Sequence, residues 1–166
     1  MAGEGLTGPE ADLEVMARRI MDENRYMALA TVDEQGRPWV SPVYFSPDRY
    51  ADLYWISSPD AQHSRNLSAR PEVSMVVFDS QVPIGGAEAV YMRGHAQEIA
   101  EPTPEECAVA FRPRFKGVRS MEPEELRAPA TLRLYRATAT EHSVLIRGGD
   151  PVRGRGIDSR LPVTLA

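Results

Sequence analysis

The chain reads as an α+β protein built on an antiparallel barrel. About six or seven strand patterns, joined mostly by short turns and accompanied by few helices, indicate the barrel. A strand–helix–strand insertion over 53–79, LYWISSPDAQHSRNLSARPEVSMVVFD, makes it α+β rather than all-β. The bulk numbers agree: 166 residues, 42% hydrophobic and 26% charged, suffice for one domain with a real core. Residues 1–8 are expected to form a flexible N-terminus, and 9–166 the single domain.

Taken in order, Thr7 and Glu10 have the spacing of a capping box with Pro9 in the first turn. Leu13, Met16, Ala17, Ile20 and Met21 then recur at helical spacing, which predicts an amphipathic helix of about four turns. Tyr26 to Val32 is a strand, Asp33 to Gly36 a hairpin turn, and Arg37 to Phe45 the returning strand. Pro42 cannot donate a ladder hydrogen bond, so that strand is expected at an edge or bulged. Ser46-Pro47-Asp48 reads as the next turn, and Leu53 to Ser57 as the third strand. Ser58 is the expected N-cap and Pro59 the first residue of a short helix that Arg70-Pro71 ends. Val73 to Phe78 follows as a strand apolar enough for burial on both faces.

Asp79 to Ala87 reads as an open loop, and Val90 to Ile99 as a strand bent or bulged at Gly94. A helix over Pro102 to Gly117, with Thr103 as cap and Glu105 and Glu106 in its first turn, is expected, ended or kinked by Pro113. A helical turn at Pro123 to Arg127, a strand from Thr131 to Thr140 continued at Val144 to Ile146, a basic glycine-rich loop over 147–160 and a closing strand at Val163 to Leu165 complete the chain.

Chemistry is concentrated in one place. GxGxxG, P-loop, GxSxG and HExxH signatures are absent, and His63, His95 and His142 are too dispersed for a zinc site. The lone Cys107 sits among apolar helical neighbours as a structural thiol. A net charge of −5 disfavours nucleic acid and anionic membranes as partners. One cysteine, no signal-like N-terminus and no bilayer-length apolar run lead to a cytoplasmic expectation. The helix start within 53–79 carries Ser57, Ser58, Gln62, His63 and Arg65. Unpaired first-turn N–H groups and the helix dipole stabilise an anion there, and these side chains add donors. Asp60 counts against an anion unless it points away, and a solvated, capped surface helix is the bland alternative.

The hairpin MALATVDEQGRPWVSPVYF followed by YWISSPDAQHSRNLSARPEVSMVVFD resembles the pyridoxamine 5′-phosphate oxidase-like, FMN-binding split-barrel family, over roughly residues 26–99 and more weakly at YRAT…DSRLPV. The resemblance implies a six-stranded antiparallel split barrel of Greek-key type with flanking helices, a homodimer, and FMN at the subunit interface. Carried over by position, Ser41, Pro42 and Val43 would lie along the flavin ring or ribityl chain. Ile56 and Ser57 would hold the ribityl–phosphate region, and Gln81 to Gly86 would face the ring. Gln62 and His63 stand where the oxidase has an Arg-Lys pair on the phosphate; Arg65 is the candidate for the missing charge. Ser41 and Ser46 replace the basic residues that flank the strand in the oxidase, and Arg160 is at most a remnant of its substrate site, so vitamin B6 oxidation is not implied. The expectation is an FMN-dependent oxidoreductase acting on a small molecule. Alternatives are a deazaflavin (F420) reductase, a haem protein using His142 or His95, and a cofactor-free dimeric module.

Overall fold

A computed structural model describes residues 9–112 and 119–165. The element order is α1 (Pro9–Glu23), β1 (Tyr26–Val32), β2 (Pro38–Tyr44), β3 (Ser46–Asp48), β4 (Asp52–Ser57), α2 (Gln62–Ala69), β5 (Glu72–Phe78), β6 (Ala89–Ile99), α3 (Pro104–Ala110), a 3-10 turn (Pro123–Glu125), β7 (Arg133–Ile146) and β8 (Ser159–Pro162). The sheet runs β2-β1-β5-β6-β7-β4-β3, with β8 added on β7, and its pairings are antiparallel. The α+β antiparallel class is as the sequence predicts; the strand count is eight where six were expected. The expected flexible stretch 1–8, the Thr7 cap and the Pro113 break lie outside the described residues.

Alternation along each strand decides which side chains meet. Met27 and Leu29 of β1, Val43 of β2, Leu53 and Trp55 of β4, Met75 and Val77 of β5, and Val90 and Met92 of β6 point into one buried core. Trp55 stacks on its register partner Tyr135, with ring centroids 5.5 Å apart. Helix α1 presents Leu13, Ala17, Ile20 and Met21 at helical spacing to the same core and packs on β5, β6 and β7. A second cluster, with Cys107, Ala110 and Leu126, joins α3 to the outer side of β4 and β7. Cys107 is buried, and burial raises its thiol pKa, which fits the structural thiol expected of it.

Several sequence expectations need correction. Ser46-Pro47-Asp48 is strand β3, not a turn: Ser46 and Pro47 are buried and pair with β4. The reversal lies at Arg49 and Tyr50, with φ of 46° and 58°. Both residues occupy the left-handed region that a tight hairpin requires. Ser58 does not cap α2. Its hydroxyl accepts the Asp60 N–H at 3.1 Å, its carbonyl accepts the Ala61 N–H, and the helix starts one turn later with Ala61 as N-cap. Strand β5 alternates buried and exposed residues instead of burying both faces. The two expected C-terminal strands are one, β7, and the closing strand is β8, reached before Val163. The Gly94 bulge is present: the β6–β7 register shifts between Arg93 and Gly94. Thr103 and Glu106 form the reciprocal cap of α3.

Candidate functional site

The turn at 58–61 leads into α2, which packs against β1, β2 and β6. Asn66, buried, donates from Nδ2 to the Thr31 hydroxyl of β1 at 2.9 Å. This pins the helix to the sheet and fixes the direction of His63 on the same helix.

His63 is 8% exposed and stands between two strands. Its Nδ1 lies 3.2 Å from Ser41 Oγ on β2, and its Nε2 lies 2.9 Å from Ser57 Oγ at the end of β4. Trp39 donates its indole N–H to Ser41 Oγ at 2.9 Å. Four polar side chains from β2, β4 and α2 thus form one contiguous group. Burial lowers the His63 pKa below its ordinary 6.5, so the ring is neutral at pH 7 in the ligand-free chain. The N-cap Ala61 offers no side-chain bond to the first turn of α2, so that helix start has no side-chain cap.

The other predicted site residues are placed differently. Pro42 is exposed on the face of β2 opposite Ser41, and Val43 is buried in the core. The Ile56 side chain packs against the α3 cluster, on the far side of β4 from the main core. Gln62 donates to Asn66 Oδ1 at 2.7 Å, and Arg65 donates to Gln62 Oε1 at 2.9 Å and to the Asp60 carbonyl. Gln62, half-buried, and Arg65, exposed, therefore form a network along the helix that does not join His63. Asp60 is exposed, and its carbonyl is held by Arg65. Gln81 to Gly86 is a loop, as expected; its Gly85 carbonyl accepts from Arg147, and it stays outside the His63 group.

Sequence reasoning overlooked Trp39 and the Thr31–Asn66 pair. A signal for Trp39 existed: it shares a strand face with Ser41 and Val43 by simple alternation.

Two clefts lie elsewhere. One of about 700 Å³ is lined by Tyr91, Arg93, Glu141, His142, Arg160 and Leu165, among others. There the Arg160 guanidinium sits 3.7 Å from the Tyr91 ring centre, a cation–π contact. His142 donates Nε2–H to the Tyr50 carbonyl at 2.9 Å, and burial lowers its pKa. His95 borders a smaller cleft of about 380 Å³ and is exposed. Among the described residues no three His, Cys, Asp or Glu side chains gather as a metal site. None of the described helices is long and apolar enough to cross a membrane.

Comparison with known proteins gives the same frame. Residues 36% identical over 69 positions relate the chain to heme oxygenase HutZ of Vibrio cholerae; the match covers 42% of this chain and 39% of HutZ. The crystal structure of HutZ, described as a heme storage protein, superposes with a TM-score of 0.62 at 23% identity, over 79% of this chain and 92% of that one. An F420 reductase superposes with a TM-score of 0.57 at 26% identity, over 76% and 95%. A heme binding protein from Mycobacterium smegmatis reaches a TM-score of 0.64 at 19% identity, over 95% and 60%. A sequence model described as pyridoxamine 5′-phosphate oxidase matches residues 14–143, most of the chain and the whole of the β1-to-β6 frame with its α2 crossing. The chain belongs to the pyridoxamine 5′-phosphate oxidase family.

Proposed function

We propose that the chain is an FMN-binding oxidoreductase of this family, and that the FMN phosphate is held where Ser57, His63 and the start of α2 meet. The observation that carries the reading is the buried His63 joined to Ser41 and Ser57. A phosphate needs hydrogen-bond donors in a fixed array, and a helix start with two hydroxyls and an imidazole is such a donor set. The imidazole is neutral when no anion is present, and Arg65 is tied along the helix, so permanent charge at the phosphate is low. Bound FMN would supply hydride or electron transfer. The chain's own residues would bind and orient it, and no acid or base of the protein is required.

A homodimer completes the reading. The outward faces of β2, β1 and β5 present Val40 at 60%, Tyr26 at 58% and Phe78 at 45% exposure. Such a contiguous apolar sheet face is suited to a second copy. Light scattering on the purified chain is expected to give twice the mass of one chain; a monomer at micromolar concentration sinks this part.

The F420 alternative draws support from the reductase similarity, since a deazaflavin also carries phosphate, and the haem alternative from HutZ. Parallel titrations with FMN, F420 and haemin distinguish them. FMN is expected to bind tightest, with its absorbance bands perturbed. No FMN uptake, with saturable F420 or haem binding in its place, overturns the proposal.

A further inference from the structure

We infer that Trp39 is a positioning residue for the anion site, its indole N–H setting the direction of a hydrogen-bond relay through Ser41 and His63 that ends on the Ser57 hydroxyl. The ligand part of this inference rests on the phosphate reading above; the relay does not.

An indole nitrogen donates and never accepts. The first link therefore has one possible direction, from Trp39 Nε1–H into Ser41 Oγ at 2.9 Å. Beyond it lie two junctions, Ser41 Oγ to His63 Nδ1 at 3.2 Å and His63 Nε2 to Ser57 Oγ at 2.9 Å. A neutral imidazole carries one N–H and one bare nitrogen, and each serine has one hydrogen. Two arrangements are then possible.

In the first, Ser41 donates to Nδ1, Nε2–H donates to Ser57, and the Ser57 hydrogen is left for a ligand. In the second, Ser57 donates back to Nε2, and Ser41 receives both Nδ1–H and the indole N–H. The Ser41 hydrogen then has to find another acceptor, and Ser57 offers a ligand only a lone pair. The first arrangement runs in one sense from end to end, so that each bond polarises the next. It also presents a donor at Ser57, the end of β4, beside the helix start. The second opposes its own bonds at Ser41 and turns a lone pair towards an incoming phosphate oxygen. Trp39, as an obligate donor, favours the first. Its place in the chain fits this role: the ring is 48% exposed on strand β2, so core packing does not account for its fixed contact with Ser41.

The relay is read directly by the nitrogen-15 shifts of His63 in the full chain, assigned by their loss in His63→Ala. In the ligand-free protein at pH 8 the Nε2–H tautomer is expected. Trp39→Phe keeps a ring and removes the donor; Ser41→Ala removes the second link. Each is expected to give a mixture of tautomers or the Nδ1–H form. An Nδ1–H ring in the parent chain, or an Nε2–H ring unchanged in both variants, overturns the relay. With FMN as probe at pH 8, where the ring is neutral and the relay is in force, Trp39→Phe is expected to bind about three- to tenfold more weakly, the loss of roughly one hydrogen bond. Equal FMN affinity in parent and variant overturns the positioning role. Failure of the parent to bind FMN overturns the cofactor reading, and the tautomer result still decides the relay.

Discussion

Gly94→Ala is expected to destabilise the chain by about 3 kcal/mol or more, a fall of roughly 10 °C in melting temperature, or to prevent folding. Gly94 sits at the β6 bulge opposite Ala139, where the β7 strand carries an extra residue, Thr140. A methyl group at position 94 would lie 2.0 Å from the Thr138 carbonyl oxygen and 3.0 Å from Ala139 Cα. These are backbone atoms in the middle of the sheet, so no flexible side chain can swing away. Relief requires β6 and β7 to separate, and that pair joins the two halves of the strand order. Gly149→Ala is the control, because nothing lies within 4 Å of the added methyl, and it is expected to change stability little. Thermal unfolding of the two variants beside the parent decides the matter. If Gly94→Ala melts within about 2 °C of the parent, the sheet yields at the bulge and the argument fails.

His63→Ala is expected to weaken FMN binding by about 10- to 100-fold, because it leaves the Ser41 and Ser57 hydroxyls without their shared partner and removes the ring that can carry charge next to the phosphate. His63→Lys is expected to restore or exceed the parent's affinity, since it places a permanent cation beside Ser57. The pH dependence carries opposite signs for stability and for binding. The folded-state pKa of His63 lies below its ordinary 6.5, and that of His142 does also. The unfolded chain therefore takes up protons first. Stability from these two buried neutral rings is full above pH 6.5 and is lost as pH falls through their depressed folded-state pKa values. An anion at His63 favours the imidazolium, so FMN binding takes up a proton and tightens as pH falls from 8 towards 6.5. In His63→Lys that pH slope should vanish. Titrations at several pH values that give a flat profile for the parent, or equal affinity for parent and His63→Ala, would remove His63 from the site.

Much of this was legible because local chemistry and tertiary structure agree. β1, its glycine turn at Gly36, the capped α3 and the Gly94 bulge each follow from alternation, backbone freedom or capping. Misreadings arose where a local signal was used for another purpose. Ser58-Pro59 has the chemistry of a helix start but forms the preceding turn. Ser46-Pro47-Asp48 has turn composition, yet burial against β4 and α3 holds it extended; Ser46 donates to the Val109 carbonyl at 2.8 Å. Arg49 and Tyr50, which do turn, carry no glycine or asparagine to announce it. Sequence singled out Ser41, Ser57 and His63 one by one, but not that their side chains meet. That junction depends on α2 crossing β2, and so does the part played by Trp39.

The edge strand β2 has one further consequence. Asp33 N–H to the Arg37 carbonyl and Phe45 N–H to the Arg25 carbonyl fix the phase of the ladder: odd-numbered residues of β2 turn their amides towards β1, and even-numbered ones turn outward. Pro38 and Pro42 are both even-numbered, so half of the outward amide row, positions 38, 40, 42 and 44, holds no hydrogen to donate. A passing extended chain finds a broken template along this border. Extension of the sheet past β2 by edge-to-edge pairing is thereby disfavoured, and the border is ended by the two prolines of the strand itself.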